Sequence, residues 1–202
     1  MSNIPTLPEI TQRKQVAKSR LFAIEQIDLT FTNGEKREYE RMQGYGRGAV
    51  LIVPMLDDET LLLVREYCAG THTYELGFPK GLIDEGESAE QAANRELKEE
   101  VGYGSDQLTH VHRVATAPAF FSAAMEIYLA ENLYVEKLPG DEPEELEVVA
   151  WKIADYKSLL AQPDFNEARS IAALMLVRDI AENTDLDHSN EFSKKKVREC
   201  HE

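Results

Sequence analysis

The sequence predicts an α/β fold: strands alternating with a central helix and closing on helices, an α/β/α sandwich, with a small β-hairpin added at the N-terminus. Three observations predict it. Two apolar runs, AVLIVPM and LLLVREY, read as buried strands joined by the turn DDET. A short acidic helix is bracketed by Ser88, three residues before Gln91 as in a capping box, and by Gly102, where a left-handed C-cap belongs. Beyond the strand VVAW the apolar residues recur at helical spacing.

Taken in order, residues 1–18 are polar, hold two prolines and lack sustained periodicity, so they read as a loosely held lead-in. From Leu21 the pattern turns to β. Ile27, Leu29 and Phe31 alternate with polar residues, Asn33-Gly34 predicts a type I′ turn, and a second strand runs through Tyr39 to Met42. This hairpin, residues 1–45, is too small to bury a core of its own, so it must lie on the main domain or on a second subunit. The main domain spans 46–184. Thr71–Lys80 carries Gly and Pro and leads into the acidic helix, and HVHRVATAP and EIYLAENLY read as two further strands. After the acidic loop GDEPEE and VVAW come helices over Ala154–Ala161 and Asn166–Glu182. The tail 185–202 is charged and unpatterned, which predicts disorder.

A chain of 202 residues with ordinary globular composition can bury a sizeable core. No apolar run approaches the roughly 20 residues of a membrane span, and the N-terminus lacks a secretion signal, so a cytoplasmic protein off the membrane is expected. Cys68 and Cys200 are too few and too far apart for a disulfide framework or a zinc site. His72, His110 and His112, without a clustered Cys, read as structural. A net charge of −15 argues against a nucleic-acid partner and requires a local source of positive charge for any phosphate that enters.

The chemistry concentrates on the acidic helix. Ala93, Leu97 and Val101 form one apolar stripe; Glu96 and Glu100, one turn apart, emerge beside it, and Glu99 lies next to them on the solvent side. Three carboxylates on one arc repel one another, and a divalent cation keeps them ionised. Hard oxygen ligands select Mg²⁺ or Mn²⁺, which suit hydrolysis of a pyrophosphate by neutralising its oxygens and acidifying a water. Glu96 and Glu100 are the expected ligands, Glu99 a ligand for a second metal or a base. Arg95, at i,i+4 to Glu99, is expected to steer that carboxylate, with Glu87 sharing the task, and Gly81 to allow close backbone approach.

Gly81, Glu87, Arg95, Glu96, Leu97, Glu99, Glu100, Gly102 and Tyr103 together fit G-x5-E-x7-R-E-U-x-E-E-x-G-U, U being a bulky apolar residue. The sequence thereby resembles the Nudix hydrolases, and YELGFPKGLIDEGES, GDEPEEL and DFNEARSIAAL extend the likeness toward members that hydrolyse ADP compounds. The resemblance implies the Nudix fold, cleavage of an ADP-linked diphosphate (ADP-ribose, NADH or a diadenosine polyphosphate) to AMP, and a homodimer whose N-terminal strands reach across. It also implies that the Lys80 carbonyl completes a metal site, and that in the acidic loop Glu142 matches a water-activating base and Glu144 a supplementary metal ligand.

Arg65 is a candidate phosphate clamp, as are Arg37 and Arg41 across a dimer interface, and Phe22 a candidate to stack on adenine. For the hairpin residues an ion-pair or packing role fits equally well. Two departures set the chain apart from ADP-ribose hydrolases: ELGFPKG replaces their ELPAG, and REYC puts Cys68 where they have a second arginine. The alternatives are a Nudix enzyme for another nucleotide sugar or a nucleoside triphosphate, and a non-catalytic ADP-ribose sensor. The full set of Nudix carboxylates argues against the sensor.

Overall fold

The computed structural model describes residues 5–44 and 46–180, so the predicted tail lies outside the described residues. The chain divides into two compact units, one comprising the residues up to Gly48 with Ala115–Met125, the other Ala49–Val114 with the residues from Glu126 onward.

The first unit is built on a three-stranded antiparallel sheet in the order β1 (Glu9–Lys18), β2 (Ala23–Thr30) and β3 (Lys36–Met42). The lead-in expected at the N-terminus is therefore largely a strand. It is exposed along its whole length, which is why no two-residue alternation betrays it; its order comes from the ladder with β2. In β2 the expected alternation is present, with Glu25, Ile27 and Leu29 buried. The connection to β3 differs from a type I′ turn. Gly34 N–H donates to Phe31 O at 2.9 Å and Phe31 N–H to Glu35 O at 2.9 Å, and Gly34 alone is left-handed at φ +86°. This is the three-residue loop in which a single glycine takes the positive φ. Residues Ala115–Met125, read in the sequence as part of the main domain, lie along β3: Met42 N–H donates to Phe120 O at 2.7 Å.

The second unit contains a seven-stranded sheet. Its main path runs β10 (Glu147–Lys152), β5 (Thr60–Cys68), β4 (Ala49–Asp57), β9 (Ala124–Val135), β8 (Tyr103–Ala115). Two short strands that the sequence did not announce, β6 (Thr73–Gly77) and β7 (Lys80–Leu82), pair with β5 and β4. The run from Val50 to Val53 is buried at every position, as a central strand covered on both faces must be. Its alternate residues Val50 and Ile52, with Leu62 and Val64, form one core with Ala92, Ala93, Leu97 and Val101 of the acidic helix. α2 (Tyr156–Leu160), entered through a 3₁₀ turn, and α3 (residues 168–180) close the unit. α3 begins two residues later than expected because Glu167 caps it, accepting from Ser170 N–H at 2.9 Å. It meets the sheet where Ser170 Oγ accepts Phe78 N–H at 3.2 Å. Among the described residues no helix is long and apolar enough to cross a membrane.

Candidate active site

The acidic helix, α1 (Ala89–Glu96), starts on the capping box expected: Gln91 N–H donates to Ser88 Oγ at 3.1 Å, and Ser88 N–H to Gln91 Oε1 at 2.9 Å. It then widens into a π-helical turn, Leu97–Val101, which Gly102 ends in the left-handed conformation at φ +82°. The glycine stop was legible; the wide turn was not. Such turns collect at functional sites because the extra residue re-aims the side chains around it.

Glu96 and Glu100 are turned inward, 8% and 7% exposed. Burial pushes both carboxyls upward, Glu100 to about 8. The Lys80 ammonium and backbone N–H oppose this at Glu100, the N–H donating to Oε2 at 3.2 Å, while the charges of Glu96 and Glu66 add to it. Lys80 Nζ in turn sits 2.6 Å from Glu66 on β5. Gly81 provides the space for Glu96: a Cβ there would overlap its carboxylate.

Arg95 ties this group together. Its Nε and Nη2 hold both oxygens of Glu87 at 3.0 and 3.1 Å, and Nη1 lies 2.8 Å from both Glu96 and Glu99. Nη2 also donates to Leu82 O at 2.9 Å, so one guanidinium fixes the loop before the helix to the carboxylates on it. The bonds from its three glutamates raise the Arg95 pKa, Glu87 first, so it stays charged.

The acidic loop reaches the same region. Glu142 is folded over Gly140, and its charge is one of those acting on Glu96. Glu144 accepts from Tyr74 Oη at 2.6 Å, and Glu145 from Lys137 Nζ at 2.6 Å. Arg65 is held by Glu147, 2.8 Å from Nε, and by Asp164. In the first unit, Arg41 Nε and Nη2 both donate to Glu25 Oε2, at 2.9 and 2.8 Å, Arg37 pairs with Glu35 at 2.8 Å, and Phe22 is exposed. Sequence reasoning passed over Glu66, the Lys80 side chain and Tyr74. Glu66 and Tyr74 are positioned by the pairing of β5 with β6 and Lys80 by the pairing of β7 with β4, and only REYC, already marked as a departure, pointed near Glu66.

Among the described residues no three His, Cys, Asp or Glu side chains converge closely enough to hold an ion, since Arg95 lies between Glu96 and Glu99. The donor chemistry nonetheless fits a hard divalent cation. Glu96 and Glu100 are buried carboxylates without full compensation, and a positive charge beside them removes the penalty that raises both.

A helix of this motif packed on a β-sheet, with two buried glutamates and a glycine making room for one of them, defines a Nudix hydrolase. The Nudix domain family matches residues 46–175 and the NudE-type Nudix hydrolase N-terminal domain residues 8–41, and the chain belongs to the Nudix hydrolase family. It is 54% identical over 179 residues to the ADP compounds hydrolase NudE of Escherichia coli (strain K12), covering 89% of this chain and 96% of the relative. It is 27% identical over 176 residues to the ADP-ribose pyrophosphatase of Bacillus subtilis (strain 168), covering 83% and 93%. A crystal structure of an ADP compounds hydrolase superposes with a TM-score of 0.84 at 52% identity, covering 91% of this chain and 98% of that one.

Proposed function

We propose that the chain is a divalent-metal-dependent pyrophosphohydrolase that splits the diphosphate of ADP-linked compounds, ADP-ribose, NADH and diadenosine polyphosphates, into AMP and the other phosphorylated half. The observation that carries this reading is the pair of buried carboxylates within a complete Nudix motif, Glu96 over Gly81 and Glu100 on the Lys80 N–H. The substrate class rests on the likeness to relatives named for ADP compounds and ADP-ribose.

Glu96, Glu99, Glu100, Glu144 and the Lys80 carbonyl would hold Mg²⁺, or Mn²⁺ in its place. The bound ion supplies positive charge to the diphosphate oxygens and makes water a better nucleophile. Arg95 keeps the Glu96 and Glu99 carboxylates aimed, and the Glu142 carboxylate takes a proton from the attacking water. Water adds to one phosphorus, the P–O–P bond breaks, and the electron pair leaves on the other phosphate. Arg65 contacts substrate phosphate within the second unit. A homodimer, cytoplasmic and without nucleic acid or membrane as partner, brings Phe22, Arg37 and Arg41 of the strands β1–β3 extension, residues 1–45, to the substrate of the other copy.

The test incubates purified protein with ADP-ribose, NADH, diadenosine triphosphate, a GDP-sugar and a nucleoside triphosphate, with and without Mg²⁺, and measures AMP or the corresponding monophosphate. Mg²⁺-dependent AMP release from the ADP compounds is expected. Binding of ADP-ribose without turnover, or faster hydrolysis of the last two substrates, overturns the proposal.

A further inference from the structure

The acidic loop between β9 and β10 carries Glu142, yet burial gives it little order: residues 139–141 and 143–145 are all exposed. Its ends are fixed, by Leu138 N–H on Lys98 O at 3.2 Å and by Glu147 on Arg65 at 2.8 Å. Between these anchors the loop is tied to a strand of the sheet by Tyr74, whose hydroxyl donates to Glu144 Oε1 at 2.6 Å. That bond is short and has a charged acceptor, the stronger kind of hydrogen bond.

Tyr74 is half-exposed, and its strand and one ring contact place it. It lies on β6 directly opposite Tyr67 in the ladder with β5, and the two rings meet edge-on with centroids 5.9 Å apart. The Tyr67 hydroxyl is 2.8 Å from His72 Nδ1, and β6 is anchored on its far side by Leu76 N–H on Asp164 O at 2.8 Å. A strand-borne aromatic with its ring against a neighbour and its hydroxyl on a loop glutamate can hold that loop in one place.

We propose that Tyr74 is a positioning residue: its hydroxyl, through Glu144, holds the 139–146 loop so that Glu142 faces the acidic helix. The inference rests on the proposed role of Glu142 and Glu144 in catalysis. Tyr74 touches neither the reacting atoms nor the ion, so its loss acts on kcat through the loop and leaves substrate affinity alone.

Tyr74→Phe keeps the ring and removes the bond. Loss of one hydrogen bond to a charged acceptor predicts amide exchange at 139–146 faster by about tenfold and a kcat lower by about tenfold, with KM within about twofold. In a Glu144→Ala background, Tyr74→Phe should change nothing further, since the partner is already gone. Unchanged exchange in the loop overturns the proposal whatever the activity. So does a raised KM with kcat intact, which would make Tyr74 a substrate contact. Faster exchange with wild-type kcat overturns the positioning role. If Glu142→Gln is then also fully active, the failure lies in the loop-base reading beneath it; if Glu142→Gln is impaired, it lies with Tyr74 alone.

Discussion

The backbone N–H of Lys80 donates to Glu100 Oε2 at 3.2 Å, so the strand before the Nudix helix and the last turn of that helix share one carboxylate. Burial pushes Glu100 from the ordinary 4.5 to about 8, even with the Lys80 ammonium beside it. A carboxyl raised in the folded state keeps a proton that the unfolded chain releases. The contribution of Glu100 to the stability of the metal-free protein is therefore fully present below about pH 4.5 and lost as pH rises toward about 8.

In EDTA, Tm should fall between about pH 5 and pH 8 by on the order of 10 °C, and Mg²⁺ should restore it at the upper end. Glu100→Gln should flatten the fall. Thermal denaturation across this range decides it; a wild-type Tm that holds level or rises in EDTA refutes the assignment of the shift to Glu100.

Glu99→Gln and Glu100→Gln replace a carboxylate by an amide of nearly the same shape, so both should fold. Losing a carboxylate that holds the ion or moves a proton should lower turnover on the order of 10²–10⁴. AMP release by each variant in saturating Mg²⁺ measures this. Wild-type rates in both would remove the metal role from this helix.

For Glu142→Gln, kcat should fall on the order of 10² or more while KM stays close to wild type, because a base acts on the attacking water and not on the bound nucleotide. Steady-state kinetics with ADP-ribose separate the two constants. A variant with full kcat would return the base to Glu99.

Gly81→Ala tests space, since Gly81 is not at positive φ and only the overlap with Glu96 forbids a side chain. The variant should fold, and displacing Glu96 by about an ångström should cost on the order of 10² in kcat. Circular dichroism with AMP release checks both halves. Unimpaired turnover would show that Glu96 need not stay where it lies.

Much of this was legible because it is local. Ser88 and Gln91, or Gly102 after Val101, act over one turn of chain, and the Nudix spacing is local in the same sense. β1 escaped notice because EITQRKQVAK is wet on both faces and is made a strand by its neighbour alone. Arg65 read as a candidate phosphate clamp at a strand end; in the structure Glu147 and Asp164, 82 and 99 residues on, hold its guanidinium.

By itself the sequence determined the helix and its ends, the buried central strands, the set of carboxylates and the family they belong to, since periodicity, capping and motif spacing are written over a few residues. Tertiary structure alone decided which charges meet. Glu66 reaches Lys80, Tyr74 reaches Glu144, and Glu96 rests on Gly81 only after strand register and the π turn have set each direction. Those directions depend on how distant segments pack, and packing is a property of the whole chain.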